Sequence, residues 1–311
     1  MPILTDRVRN VLEYFRVRSK SYFHSSTPVS YDPDNILPYY IDHAERAIYP
    51  GPVDSAGIPL YNHRGTVDYQ PVGIALTAFG NLDMYRRTGD ETYRMRFIQL
   101  CDWFVAKQDN NGMWLINLFD RQYGLMKPWP SALTQGKAIS CLVRAYALTN
   151  DMRYLVSARA GLKSFHIEIQ DGGVVRTNDG LSWYEEYPSA VPYQVLNGFI
   201  FALWGLYDLV RIEENALARE LYEAGLQALR KKLPEFDTGY WSLYHISFEM
   251  TNPASVPYHR LHIAQVHAMY RITGDEIFER YAAQWEEYLN GRFNALRTLP
   301  AKLRWRMAHW M

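Results

Sequence analysis

The sequence predicts an all-α protein, an (α/α) toroid or barrel of repeated helical hairpins with short β-hairpins on its active-site rim. Three observations predict it. Tyr85, Tyr146, Tyr207 and Tyr270 recur at spacings of 61, 61 and 63 residues in near-matching surroundings, the mark of one supersecondary unit written repeatedly. Each of the first three units opens with a helix that is apolar nearly all round, and such a helix is buried on every side. An amphipathic helix follows, as expected of an outer layer facing solvent. Buried inner helices alternating with half-exposed outer ones give a ring of hairpins; a linear solenoid of the same hairpins is the alternative.

In chain order, residues 4–18 read as an amphipathic helix through Leu4, Val8, Val11, Leu12 and Phe15, capped by Thr5 or Asp6. Residues 24–66 are rich in Pro, Tyr and Asp and lack a period, so no element is assigned. The inner helices contain Gly73–Gly80, Gly136–Val143 and Gly198–Gly205, with a fourth around Tyr270. In the third outer helix Leu217, Leu221, Ala224 and Ala228 share a face. Glu213 and Glu214 begin it and Arg230, Lys231 and Lys232 end it, matching the macrodipole. Asp90, Asp151 and Asp275 follow three of the tyrosines at one offset. Glycine turns at 110–114, 171–175 and 237–241 have β-rich flanks that suit hairpins. They lead into Pro130, Pro188 with Pro192, and Pro257, each a good residue for entering a helix. Hairpins and inner-helix N-termini therefore share one rim, where unpaired N–H groups and positive dipole ends suit a carboxylate. The expected division is an N-terminal segment 1–66, a catalytic domain 67–293 and a C-terminal tail 294–311.

Composition narrows the class. With 311 residues, 48% apolar and 15% aromatic, the chain can bury a large core. Its net charge of zero gives no field for nucleic acid, so none is expected as a partner. Cys101 and Cys141 lie in apolar helical stretches and read as buried thiols. The amino end lacks the apolar run of a signal peptide, and a cytoplasmic location is the expectation. The tail, residues 302–311, is basic and carries two tryptophans; packing on its own barrel is favoured over contact with a membrane surface. A homodimer is the default assembly, which nothing in the sequence specifies.

Chemistry-bearing residues crowd two rim segments, Trp183-Tyr-Glu-Glu-Tyr-Pro188 and Tyr240–Tyr244 with Pro257-Tyr-His-Arg-Leu-His262. Aromatic faces stack on pyranose rings while carboxylates and phenols meet hydroxyls, although the same residues could simply roof the barrel. In an extended stretch Tyr184 and Glu186 face one way and Glu185 and Tyr187 the other, so Glu186 and Tyr187 share a cleft only through a local twist. His259 and His262 fall on one face of a helix, with Arg260 between them. Without cysteine partners or a third ligand, no metal is expected, and hydrogen bonding is the favoured role. Gln135 and Asn197, near the starts of inner helices, could meet sugar hydroxyls or satisfy helix ends.

At these residues the chain resembles the carboxy-terminal catalytic domain of the D-glucuronyl C5-epimerases, which convert glucuronate to iduronate in heparan-type chains. The likeness runs over roughly residues 67–293. It is carried by Trp183–Pro188, by Leu196-Asn-Gly-Phe199 leading to Gly205–Leu209, and by Gln135–Ser140 with Leu142–Tyr146. Asp237-Thr-Gly239, Tyr258-His259 with His262-Ile263, and Trp285 with Tyr288–Gly291 also carry it. It implies Glu186, Tyr187, Tyr244 and Tyr258 as catalytic residues and no cofactor. Tyr184, Glu185, Asn197, Trp241, His259, Arg260, His262 and Gln135 are expected to contact substrate, a uronate-containing oligo- or polysaccharide. Two departures stand out. The β-domains that precede the helical domain in the animal enzymes have no counterpart in this sequence, which favours a shorter acceptor. Where the animal pattern has an arginine three residues after the tyrosine, this chain has Ser247, so Arg260 is expected to take its place.

Such a reaction removes a hydrogen α to a carboxylate and returns it from the opposite face, so it needs two acid–base groups and donors aimed at the carboxyl oxygens. The expectation sets Tyr187 and Tyr244 on opposite faces of the sugar, Glu186 as proton partner or base, and Tyr258, His259 and Arg260 at the carboxylate. Three alternatives remain: a polyuronate lyase, which shares the first step; an inverting hydrolase using Glu185 or Glu186 with Asp237; and a non-catalytic uronate-binding protein.

Overall fold

Four helical hairpins carry the chain from Pro71 to Asn290. The computed structural model describes residues 26–63 and 65–309; the helix expected over 4–18 lies outside them. The inner helices are α1 (Pro71–Thr88), α3 (Ala132–Thr149), α5 (Leu196–Ile212) and α7 (Val256–Thr273). Their outer partners are α2 (Glu91–Lys107), α4 (Met152–Gly161), α6 (Ala216–Lys232) and α8 (Glu276–Asn290). Two short helices follow, α9 (Asn294–Arg297) and α10 (Leu299–His309). This is the (α/α) toroid class.

The tyrosine repeat has a simple cause. Tyr85, Tyr146 and Tyr270 sit in the last turn of their inner helices, where each carbonyl accepts the N–H of a left-handed C-cap: Gly89, Asn150 and Gly274. One residue later Asp90, Asp151 and Asp275 cap the outer helices, their side chains accepting from Thr92, Arg153 and Ile277 N–H. The third copy departs from the pattern, with Asn215 as the cap of α6. The repeat thus records the turn at the C-terminal ends of the inner helices.

Burial follows the expected layering, with one correction. Every residue of α5 from Leu196 to Leu206 is buried. In α6 the buried face runs through Ala218, Leu221, Tyr222, Gly225, Leu226, Ala228 and Leu229; of the four residues expected on it, Leu221 and Ala228 are buried, while Leu217 is exposed and Ala224 half-buried. The face is rotated from the expected one because Tyr222 and Gly225 belong to it, the latter making room for Tyr184 and Leu203.

α3 and α5 cross where Gly136 meets Gly205; a Cβ at Gly136 would lie 2.5 Å from the Phe201 carbonyl oxygen and 2.6 Å from Ala202 Cα. Since backbone cannot yield as a side chain does, Gly205→Ala is expected to destabilise by about 1–3 kcal/mol despite alanine's better helix propensity. The check is urea denaturation, with a lower midpoint at unchanged slope.

Strand structure sits at the inner-helix N-termini. β1 (Tyr61–His63) and β2 (Thr66–Asp68) form a hairpin before α1. β3 (Val175–Asn178) and β4 (Leu181–Tyr184) form another, turning through Asp179 and Gly180 at φ 50° and 71°. β5 (Gln194–Val195), β6 (Leu243–Ile246) and β7 (Asn252–Pro253) make a three-stranded antiparallel sheet with an irregularity between Leu243 and His245. The turn at 110–114 opens no regular hairpin; isolated bridges Ile116–Trp129 and Asp120–Leu125 stand there instead.

The aperiodic N-terminal segment reaches into the ring. Tyr39 stacks on Phe79 at 3.9 Å and meets Trp204 edge-on at 5.6 Å. The Tyr40 hydroxyl donates to Asp208 Oδ1 at 2.7 Å. Asp208 also takes the Arg144 guanidinium in two contacts of 2.5 and 3.2 Å, both side chains being fully buried. At the other terminus, Lys302 donates to Asn252 Oδ1 at 2.6 Å and the Pro253 carbonyl at 3.0 Å, and the buried Trp305 packs edge-on against His245. No helix among the described residues is long and apolar enough to cross a membrane.

Candidate active site

All four inner helices line one central cavity of ≈ 230 Å³ with residues at or near their N-terminal halves: Val72 and Leu76, Ser131, Leu133 and Lys137, Asn197 and Phe201, and Tyr258 and Leu261. The segment from Ile116 to Asp120, Trp129, Glu186 and Tyr187 complete the rim side, and His43 enters from the N-terminal segment.

Backbone geometry places the acid. Glu185 N–H donates to Val174 O at 2.7 Å and Glu185 O accepts from Ala132 N at 3.0 Å, tying the end of β4 to the start of α3. The chain then twists, so that Glu186 and Tyr187, which strict alternation would separate, both line the cavity. Glu186 lies over the first turn of α5, where Asn197 Nδ2 donates to its Oε2 at 3.4 Å. Gly198 is the residue that permits this, because a Cβ there would collide with that same carboxylate oxygen.

Around Glu186 the structure brings Tyr187, Tyr244 and Tyr258 together. The side chain of Tyr187 interacts with Glu186, and that of Tyr244 with both Tyr187 and Tyr258. Tyr244 and Tyr258 meet at 4.7 Å in a T-shape. Tyr123 stacks on Tyr187 at 3.8 Å, and Trp129 lies 6.1 Å away. Tyr187 and Tyr258 line the cavity, whereas Tyr244 bridges them from outside the lining. The phenols that share the cavity wall are thus Tyr187 and Tyr258, and Tyr244, expected on the opposite face of the sugar from Tyr187, lies outside the lining.

Burial sets the electrostatics. It pushes Glu186 up to about 7, helped by Asp120 and opposed by the Tyr187 hydrogen bond, Lys137 and Asn197. Burial, and then the charge of Glu186, push Tyr187, Tyr244 and Tyr258 well above the ordinary phenol value. Near neutral pH the cluster therefore holds protonated phenols beside a carboxyl poised to lose its proton. That arrangement can accept a proton from, and return one to, a carbon held in the cavity.

Of the residues expected to touch substrate, Asn197 lines the cavity; Tyr184, Glu185, Gln135, Trp241, His259, Arg260 and His262 do not. Each of the buried ones has a partner elsewhere. Tyr184 donates to Leu221 O at 2.6 Å. Glu185 takes Arg176 Nε at 2.9 Å, and burial pushes it up to about 7. Gln135 brackets the backbone of Trp114, accepting at 3.1 Å and donating at 2.8 Å. Trp241 donates to Ala254 O at 2.8 Å and stacks on His259 at 3.7 Å. The same-face geometry of His259 and His262 aims both Nδ1 atoms at Ser242 Oγ, at 2.8 and 2.9 Å, while His259 Nε2 meets the Trp285 carbonyl at 2.9 Å. Burial pushes His259 down to about 3 and His262 well below the ordinary range, so both stay neutral. Asp237, the partner acid of the hydrolase reading, instead accepts from Gly239 N–H at 2.5 Å and Trp285 Nε1 at 3.2 Å.

Three lining or flanking groups escaped the sequence reading. Tyr123 and His43 lie in segments without periodicity, so nothing local marked them. Lys137 carried a signal: a basic residue inside the otherwise apolar Gly136–Val143 helix, where its buried amine lines the cavity.

The family described as "D-glucuronyl C5-epimerase C-terminus" matches residues 108–287. A D-glucuronyl C5-epimerase of Caenorhabditis elegans is 36% identical over 222 residues, which cover 65% of this chain and 36% of that protein. The chain thus matches little more than a third of that relative's length. An uncharacterized protein of Methanocaldococcus jannaschii is 32% identical over 212 residues, covering 63% of this chain and 68% of the other. Among solved structures, an unsaturated glucuronyl hydrolase from Bacillus sp. GL1 matches with TM-score 0.51 and 14% identity over 71% of this chain and 62% of that one. A cellobiose 2-epimerase from Bacillus thermoamylovorans matches with TM-score 0.52 and 11% identity over 71% and 59%. At such identities these two likenesses speak for the fold alone.

Proposed function

Because the chain belongs to the D-glucuronyl C5-epimerase C-terminus family, we propose that it epimerises D-glucuronate to L-iduronate residues in an oligo- or polysaccharide, exchanging the hydrogen at carbon 5. One observation carries this reading: a carboxyl held near neutrality and two protonated phenols line the same buried cavity. Proton abstraction next to a carboxylate calls for a base that is ionised at working pH, and Glu186 is that group. Inversion calls for a second donor at another point of the wall. Tyr258 fills that role, with Tyr187 passing the proton to Glu186 and Tyr244 linking the two lining phenols from behind. Each acid–base group is worth roughly 10²- to 10⁴-fold in rate. The free buried thiols Cys101 and Cys141 fit a reducing, cytoplasmic setting.

The test incubates the protein with a glucuronate-containing oligosaccharide in D₂O. Deuterium at carbon 5 together with iduronate is the expected outcome. An unsaturated product would make the chain a lyase, and intact, unlabelled substrate would remove the epimerase reading. The rate has a definite pH response. With the Glu186 carboxyl near 7, its basic form falls tenfold per unit below that value, so exchange rises with pH through about 7. An acid limb centred near the ordinary carboxylate value would assign the base elsewhere.

A further inference from the structure

We propose that Lys137 is the carboxylate anchor of the cavity, the side chain that makes it select an acidic sugar over a neutral one; the identity of that sugar rests on the function proposed above. Lys137 projects from α3 with 2% of its surface exposed, and its Nζ lines the cavity without a hydrogen-bond partner. Its surroundings are aromatic faces: Phe201 at 3.5 Å, Tyr39 at 5.3 Å and Phe79 at 5.6 Å. Glu186 lines the same cavity and interacts with it electrostatically without forming an ion pair with it. A buried ammonium lacking a counter-ion is costly, and burial accordingly pushes this amine down to about 7.

What would offset that cost is an anion in the space between Lys137 and Glu186. A carboxylate there completes the unpaired amine and sets the carbon next to it toward Glu186 and Tyr187. Neighbouring lining groups are also unpaired: Asn197 Oδ1, and both ring nitrogens of His43, which make no hydrogen bond of good geometry. These suit hydroxyls. The arginine candidate, Arg260, is not in the lining, and Ser247, at the position where the resemblance places an arginine, lines a separate surface pocket with Arg176 and Lys232. Lys137 is the one lysine or arginine among the described lining residues, and burial holds the other basic lining group, His43, well below the ordinary imidazole range.

The experiment uses the full chain in a Tyr258→Phe background, so that ligand is not turned over. Calorimetric titration compares a glucuronate-containing oligosaccharide with its carboxyl-reduced counterpart, each with and without Lys137→Met. The expected result is a roughly 10- to 100-fold weaker affinity for the acidic ligand, with the neutral ligand changed by less than about twofold. The unfolding temperature should not fall, because the substitution removes a buried amine; Lys137→Gln serves as a second variant. Unchanged affinity for the acidic ligand, an equal loss for both ligands, or no binding of the acidic ligand by the Tyr258→Phe parent would overturn the assignment. Failure of the chemistry is separable. A wild-type protein that binds the uronate but exchanges no hydrogen sinks the epimerase reading and leaves the anchor standing.

Discussion

Glu186→Gln is expected to lower carbon 5 exchange by roughly 10²- to 10⁴-fold while leaving the fold intact. The amide preserves shape and can still take the Asn197 hydrogen bond to its oxygen, but it cannot accept a proton at neutral pH. Tyr258→Phe should lose a similar factor. If Tyr258 is the second acid–base group, the pair should be far from additive, since one transfer is useless without the other. Tyr244→Phe should cost less, because that phenol bridges the lining tyrosines from outside the cavity. The measurement is mass-spectrometric deuterium uptake under single-turnover conditions. Wild-type uptake by Glu186→Gln would remove the carboxyl from the mechanism, and a larger loss in Tyr244→Phe than in Tyr258→Phe would reverse the roles given to those two phenols.

The second large effect concerns stability. Arg144→Met should destabilise by roughly 3–5 kcal/mol, because it strands the Asp208 carboxylate in a fully buried site with Tyr40 as its remaining donor. Burial alone would make the guanidinium easier to deprotonate; the charge and hydrogen bonds of Asp208 more than offset this and hold it above its ordinary value. Arg144 also donates to Ser140 O at 2.9 Å and Pro38 O at 3.1 Å, so its loss frees the N-terminal segment from the ring. The double variant Arg144→Met with Asp208→Leu should recover much of the loss, since removing both charges removes the stranded one. Urea denaturation decides. A single-variant cost below about 1 kcal/mol would show that water or rearrangement reaches the site.

How much was legible in the sequence follows from the range of the interactions. Hairpins, caps and turns are local, so Tyr85, Gly89 and Asp90 could be read in order. Glu186 and Tyr187 stood out because an acid and a phenol precede Pro188, which breaks the strand and permits the twist that brings both to the cavity. The histidines were harder: two rings on one helical face look alike whether they point at a ligand or at Ser242, and only tertiary packing distinguishes them. Trp241 and Tyr184 misled for the same reason, since an aromatic that roofs a cavity and one that walls it have the same local sequence. The contacts of Tyr39, Tyr40 and His43 reach across the chain from a segment with no period, which no pattern of nearby residues could expose.

The inserted Tyr39–Tyr40 segment helps to wall the cavity. Tyr39 stacks on Phe79, Tyr40 lies against Trp204, and the Lys137 amine sits over the Tyr39 ring. On the side of Lys137 and Phe201 the cavity is therefore backed by aromatic rings that the N-terminal segment contributes, so a change in that segment reaches the wall of the cavity without touching a helical hairpin.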